Sequence, residues 1–83
     1  MGRVAIMLKV YLESAEVEER VKQALKEQVK PTQIISVPVF GDLNALKVTV
    51  VRDDREGAGD VEERIKGIPG VSEVQTEDVT LIS

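Results

Sequence analysis

Val4, Ile6, Leu8, Val10 and Leu12 fall at every second position near the start of the chain. Nothing else in the sequence limits the fold as tightly. Period two places all five on one face of a strand spanning Arg3 to Leu12, with Ala5, Met7, Lys9 and Tyr11 on the other. The period then changes. In "SAEVEERVKQALKEQVK", Val17, Val21, Ala24, Leu25 and Val29 form a stripe at helical spacing. Ser14 stands where an N-cap is expected, and Glu13, Glu16, Glu18 and Glu19 crowd the start. Lys22, Lys26 and Lys30 follow, the order that the helix dipole favours, and Glu18 with Lys22 makes an i,i+4 pair. Pro31 cannot continue the helix, which stops about there.

The same alternation of periods repeats. "TQIISVPVF" reads as a second strand, in which Pro38 favours an edge position or a strand end because it donates no ladder hydrogen bond. After the short Gly41-Asp42 connection, "LNALKVTVV" alternates again, with Leu46, Val48 and Val50 inward, so the two strands form an antiparallel hairpin. "RDDREGAG" reads as a polar loop, and Asp60 to Lys66 as a short helix with Val61, Ile65 and Ile68 on its apolar side. The segment Gly67-Ile68-Pro69-Gly70 terminates that helix. The last run, "VSEVQTEDVTLIS", changes phase: Val74 is at an even position, Val79 and Leu81 at odd ones. A bulge or twist between Gln75 and Asp78 reconciles them. The order is βαββαβ. With right-handed crossovers it becomes a four-stranded antiparallel sheet with both helices on one face.

Eighty-three residues make one domain, spanning 1–83. Its expected core is Val4, Ile6, Leu8, Val10, Val17, Val21, Leu25, Leu46, Val48, Val50, Ile65 and Val74. The chain has no Cys and no His, so thiolate nucleophiles, zinc-finger ligands and imidazole bases are excluded. No run approaches the ~20 apolar residues of a membrane span, and "MGRVAIMLKV" does not read as a signal peptide. A cytoplasmic location is expected. The net charge of −4 argues against a nucleic-acid backbone as main partner. There is no P-loop, and the acidic loop from Asp53 to Asp60 departs from the EF-hand order, with Arg55 in its middle. No cofactor, no metal and no enzymatic activity are expected.

Two features point to binding. The sheet face opposite the helices carries Ala5, Met7, Lys9, Tyr11, Ile35, Val37, Val39, Lys47, Thr49 and Val51, a mixture more apolar than a wet surface needs. It is either an ordinary half-exposed face or a contact with a partner or a second copy, leaving monomer and weak homodimer both open. The other feature is Phe40, the only Phe of the chain, placed at the hairpin turn. It either folds back as a core plug or stands out as an anchor for a partner.

In order and spacing, the segments "MGRVAIMLKVYLES", "FGDLNALKVTVVRDDREG" and "VEERIKGIPGVSEVQTEDV" resemble the archaeal translation elongation factor 1-beta family. The first is similar to its M-G-x-V opening with K-V and an E-S turn. The second is similar to its F-G-L-x-A-L hairpin and V-V-x-D-x-E-G loop, and the third to its second helix, I-x-G-V turn and final strand. The resemblance covers nearly the whole chain. It implies an α+β, ferredoxin-like βαββαβ sandwich and a guanine-nucleotide exchange factor that binds elongation factor 1-alpha and promotes loss of GDP during protein synthesis.

On that resemblance the partner-binding candidates are Phe40, Gly41, Asp42 and Lys47. Phe40 matches the family's hairpin Phe, which meets the G domain. Lys47 is either a charge for the partner or a solvated strand lysine. Asp42 is an extra residue between F-G and the L-x-A-L segment, which alters the length and aim of the tip. Eukaryotic relatives end in a lysine that reaches a magnesium site, whereas no cation follows Lys66 here. The alternative is a ferredoxin-like module that senses a small molecule or regulates through one, which has no reason to carry this hairpin.

Overall fold

The computed structural model describes residues 2–53 and 58–82. Strand β1 (Arg3–Leu12) leads through a 3-10 turn (Ala15–Val17) into helix α1 (Glu18–Gln28). Strands β2 (Gln33–Phe40) and β3 (Leu43–Asp53) follow as a hairpin, then α2 (Ala58–Lys66) and β4 (Val71–Leu81). The four strands form one antiparallel sheet in the order β2-β3-β1-β4. The fold is the ferredoxin-like α+β sandwich that the period changes predict. Pro38 lies, as expected, on an edge strand.

Alternation decides which side is covered. Ile6, Leu8, Val10 and Leu12 of β1 and Leu46, Val48 and Val50 of β3 join Val21, Leu25 and Val29 of α1 and Val61 and Ile65 of α2 in one buried cluster. Both helices therefore lie on the same face. All of the expected core residues are buried except Val4 and Val17, which pack on the cluster from its margin. The cluster also takes in Leu12, Val29, Val61 and Ile68, and Ala45 is fully buried outside it.

The phase change in β4 is a bulge. Met7 pairs with Asp78 and Leu8 with Thr76, which leaves Glu77 as the extra residue. Val79 and Leu81 return to the helix side, opposite Ile6 and Val4, yet both are exposed. Helix length explains this: a nine-residue helix rises about 13 Å, against roughly 36 Å for an eleven-residue strand.

The element ends differ in detail from the sequence reading. Ser14 takes an extended N-cap conformation, but its side chain makes no capping bond, and the helix opens with the 3-10 turn. The segment Arg52–Gly59 is not all loop: Arg52 and Asp53 extend β3, and α2 begins at Ala58. Arg52 Nη2 donates to the Val29 carbonyl at 2.9 Å, satisfying an oxygen at the end of α1. Lys30 follows with φ 47°, the left-handed conformation that usually falls to glycine at a helix end. The second helix leaves through Ile68-Pro69-Gly70-Val71. There the Val71 N–H donates to the Ile68 carbonyl at 3.2 Å and Gly70 has φ 100°. Pro and then a positive-φ Gly at the two central positions make a type II turn.

Candidate functional site

The turn between β2 and β3 is Phe40-Gly41-Asp42-Leu43. Gly41 has φ 54° while Asp42 keeps an ordinary negative φ, the sign pattern of a type II′ turn with glycine first. A Cβ at Gly41 would meet nothing within 4 Å, so glycine serves backbone freedom here and not space. Two residues suffice to reverse the chain, and the extra Asp42 is one of them.

Phe40 is 82% exposed. It does not fold back as a core plug; Leu43, its ladder partner, packs on the core instead. Just before the turn, Pro38 pairs with Asn44 and Phe40 with Leu43, so Val39 is an extra residue on β2. Val39 is also exposed. The tip thus presents two apolar side chains on a short, tightly reversed loop.

Phe40, Gly41 and Asp42 are adjacent at this tip, and Lys47 is not. Lys47 lies four residues along β3 from Leu43, roughly 13 Å at strand rise. It sits on the helix-free face directly opposite Lys9. Two neighbours offset that like-charge pair. The bulged Glu77 reaches Lys47 Nζ at 3.9 Å, and Lys9 Nζ lies 5.4 Å from the centre of the Tyr11 ring.

The sequence reading missed a polar cluster behind the tip. Glu18 Oε2 accepts from Ser36 Oγ at 2.8 Å, and Glu18 Oε1 accepts from Asn44 Nδ2 at 2.9 Å. Lys22 Nζ stands 3.2 Å from Oε2. Donation by Asn44, then by Ser36 and Lys22, holds the Glu18 carboxyl below the usual carboxylate range. The available signal was that Ser36 and Asn44 are polar at helix-facing positions next to the apolar Ile34, Leu46, Val48 and Val50.

Other candidates separate from the tip. Asp54 to Gly57, most of the acidic loop, lie outside the described residues. Among the described residues no group of His, Cys, Asp or Glu could hold a metal ion, and no helix is long and apolar enough to cross a membrane. At the far end of the sheet the Ile82 N–H donates to the Arg3 carbonyl at 2.9 Å. The last strand therefore finishes beside the start of β1, away from the Phe40 turn.

Comparison with known proteins bears on this geometry. Residues 5–82 match the family described as the EF-1 guanine nucleotide exchange domain. The chain is 39% identical to the elongation factor 1-beta of Ignicoccus hospitalis over 90 residues, covering 100% of this chain and 96% of that protein. It is 39% identical to the elongation factor 1-beta of Methanoculleus marisnigri over 84 residues, covering 99% of this chain and 100% of that one. The elongation factor 1-beta of Methanothermobacter thermautotrophicus is 36% identical over 85 residues, covering 95% and 96%. With a match running through both helices and all four strands, the chain belongs to the EF-1 guanine nucleotide exchange domain family.

Proposed function

We propose that this chain promotes release of GDP from elongation factor 1-alpha, in the cytoplasm, and that it does so by binding alone, without making or breaking a covalent bond. The observation that carries the reading is the 82% exposure of Phe40 on a two-residue turn, in a chain of the exchange-domain family. A small protein with only two aromatic residues leaves one of them in water. Burying such a ring against a partner supplies about 1.5–3 kcal/mol.

The physics of exchange needs no catalytic group. A factor that binds the nucleotide-free G protein more tightly than the GDP-bound form shifts the population toward the former. Linkage then requires that the factor weaken GDP binding by the same ratio by which GDP weakens binding of the factor. In this reading Phe40, Gly41 and Asp42 make the tip contact. Lys47, farther along the open face, adds a positive charge that Glu77 holds in place until a partner approaches.

Release of fluorescent GDP from elongation factor 1-alpha, with and without the protein, tests this. Stimulation is expected, and Phe40→Ala is expected to reduce it by about 30-fold, the equivalent of a ~2 kcal/mol anchor. The melting temperature should stay nearly unchanged, because so little of the ring is buried. A fully folded Phe40→Ala protein with wild-type stimulation would remove the tip from the interface.

A further inference from the structure

We propose that Glu18 is the positioning residue that aims the Phe40 tip, by clasping both strands of the hairpin to the start of α1. The inference rests on the exchange reading above for its functional consequence. Glu18 is the first residue of α1, carried into place by the 3-10 turn Ala15–Val17. Each of its carboxylate oxygens takes a different strand: Oε2 holds Ser36 of β2 and Oε1 holds Asn44 of β3. Lys22 fixes the same carboxylate from the next turn of the helix. The Glu18 side chain is only 16% exposed, so these charge-assisted bonds are partly shielded from water.

The clasp sits where the ladder is weakest. Just beyond it, Val39 interrupts the register. β2 is also an edge strand, with no neighbour on its other side. Between the clasp and the Phe40 ring, Leu43 is the residue that packs on the core. The direction of the tip is therefore set by one apolar contact and by Glu18. Neighbouring Glu19 supplies a control. It belongs to the same helical turn, is 89% exposed and meets Lys22 at 3.7 Å.

If Glu18 aims the tip, loosening it enlarges the range of orientations searched before docking, without changing the docked contact. Glu18→Ala should then raise the concentration of factor giving half-maximal GDP release about three- to tenfold, with the saturated rate preserved. Residual dipolar couplings of the Phe40 to Leu43 amides should shift toward averaged values relative to those of α1. Glu19→Ala should move neither quantity. Ser36→Ala combined with Asn44→Ala, which leaves the helix intact, should reproduce the Glu18→Ala effect, and adding Glu18→Ala to that pair should contribute nothing more. Glu18→Gln, which retains an acceptor oxygen, should fall between.

A folded Glu18→Ala protein with wild-type half-saturation and unchanged couplings overturns the inference, as does full additivity with the Ser36 and Asn44 changes. The two readings separate in the same experiment. Phe40→Ala without effect would remove the exchange reading, and the couplings by themselves would still decide whether Glu18 aims the tip.

Discussion

The two βαβ halves of the molecule solve the same local problem with the same parts. In each, a helix glutamate accepts from a hydroxyl on the outer strand, with a lysine four residues on behind it. Glu18 takes Ser36 at 2.8 Å and Lys22 at 3.2 Å; Glu62 takes Thr76 at 2.6 Å and Lys66 at 3.4 Å. Glu18 also takes Asn44 at 2.9 Å, from β3 of the other half, and is the less exposed of the two glutamates. An edge strand has a neighbour on one side only, so a helix that also grips it across the layers restores part of the missing constraint. The first half makes that grip double, behind the hairpin that carries Phe40.

The exits of the two helices differ more. The second half leaves through Gly70, whose O accepts from the Glu13 N–H at 2.9 Å and so ties the turn to the end of β1. The first half makes do with Lys30 in a conformation that disfavours a side chain. One half uses glycine where geometry demands it and the other tolerates strain.

The largest expected effect tests whether both halves rest on one core. Val48 is 1% exposed beneath them, and Val48→Asp buries an unpaired charge. It should unfold the whole domain, costing about 3–5 kcal/mol or more. Loss of near-native circular dichroism and of the melting transition would show this, whereas an unchanged melting temperature would break the single-core view.

Gly70→Ala should come next. A Cβ there would lie 3.0 Å from Val17 Cβ and 3.1 Å from Val21 Cγ2, on a backbone at φ 100°. A loss of roughly 2–3 kcal/mol in urea melts is expected. A neutral result would mean that α1 yields easily to the turn.

The glutamates sharpen the comparison directly. Glu18→Ala should cost about 1–2 kcal/mol and Glu62→Ala about half of that, since one loses donors from two strands and the other from one. Equal losses would dissolve the difference between the halves. Acid titration adds a second arm. Asn44, Ser36 and Lys22 lower the Glu18 carboxyl, and Thr76 followed by Lys66 lowers that of Glu62. Their folded values thus lie below the ordinary 4.5, and the stability they lend is complete above that pH and disappears as pH falls through the folded values. Urea midpoints measured from pH 7 down to pH 3 should fall less steeply in Glu18→Gln than in the parent.

Lys30→Gly should give the smallest change, and the only gain. Removing the side chain from φ 47° should stabilise by about 0.5–1 kcal/mol, since the strain relieved exceeds the added freedom of the unfolded chain. A loss instead would show that the Lys30 side chain contributes more than its conformation costs.

What the sequence disclosed followed from one-dimensional periods. Alternation in β1 and β3 fixed which residues are buried, and the phase change in β4 called for a bulge or twist between Gln75 and Asp78, where the strand register leaves Glu77 as the extra residue. What it concealed depends on contacts across layers. Glu18 reads as the i,i+4 partner of Lys22, and nothing local says that its carboxylate also reaches Ser36 and Asn44, 18 and 26 residues away. Val79 and Leu81 obey the alternation yet stay exposed, because coverage depends on helix length and not on strand pattern. Ala45 is the converse: an odd position on the open face, paired with Val37 of β2, and yet fully buried. The position of Phe40 at a turn was legible, because glycine follows it, and the polar supports behind the turn were not.

The break in β2 has a consequence for the chain in crowded solution. An open sheet edge carrying exposed Ile35 and Val39 is a template on which another copy could lay a strand. Pro38 denies such a copy one donor, and the bulge at Val39 turns the edge out of register. On the opposite border Glu73, Glu77 and Asp78 place like charges along β4. A slender molecule measuring 42 × 20 × 17 Å, with two long free borders, is thereby protected from strand-by-strand aggregation. The irregularity that frees the hairpin tip also keeps the sheet from growing.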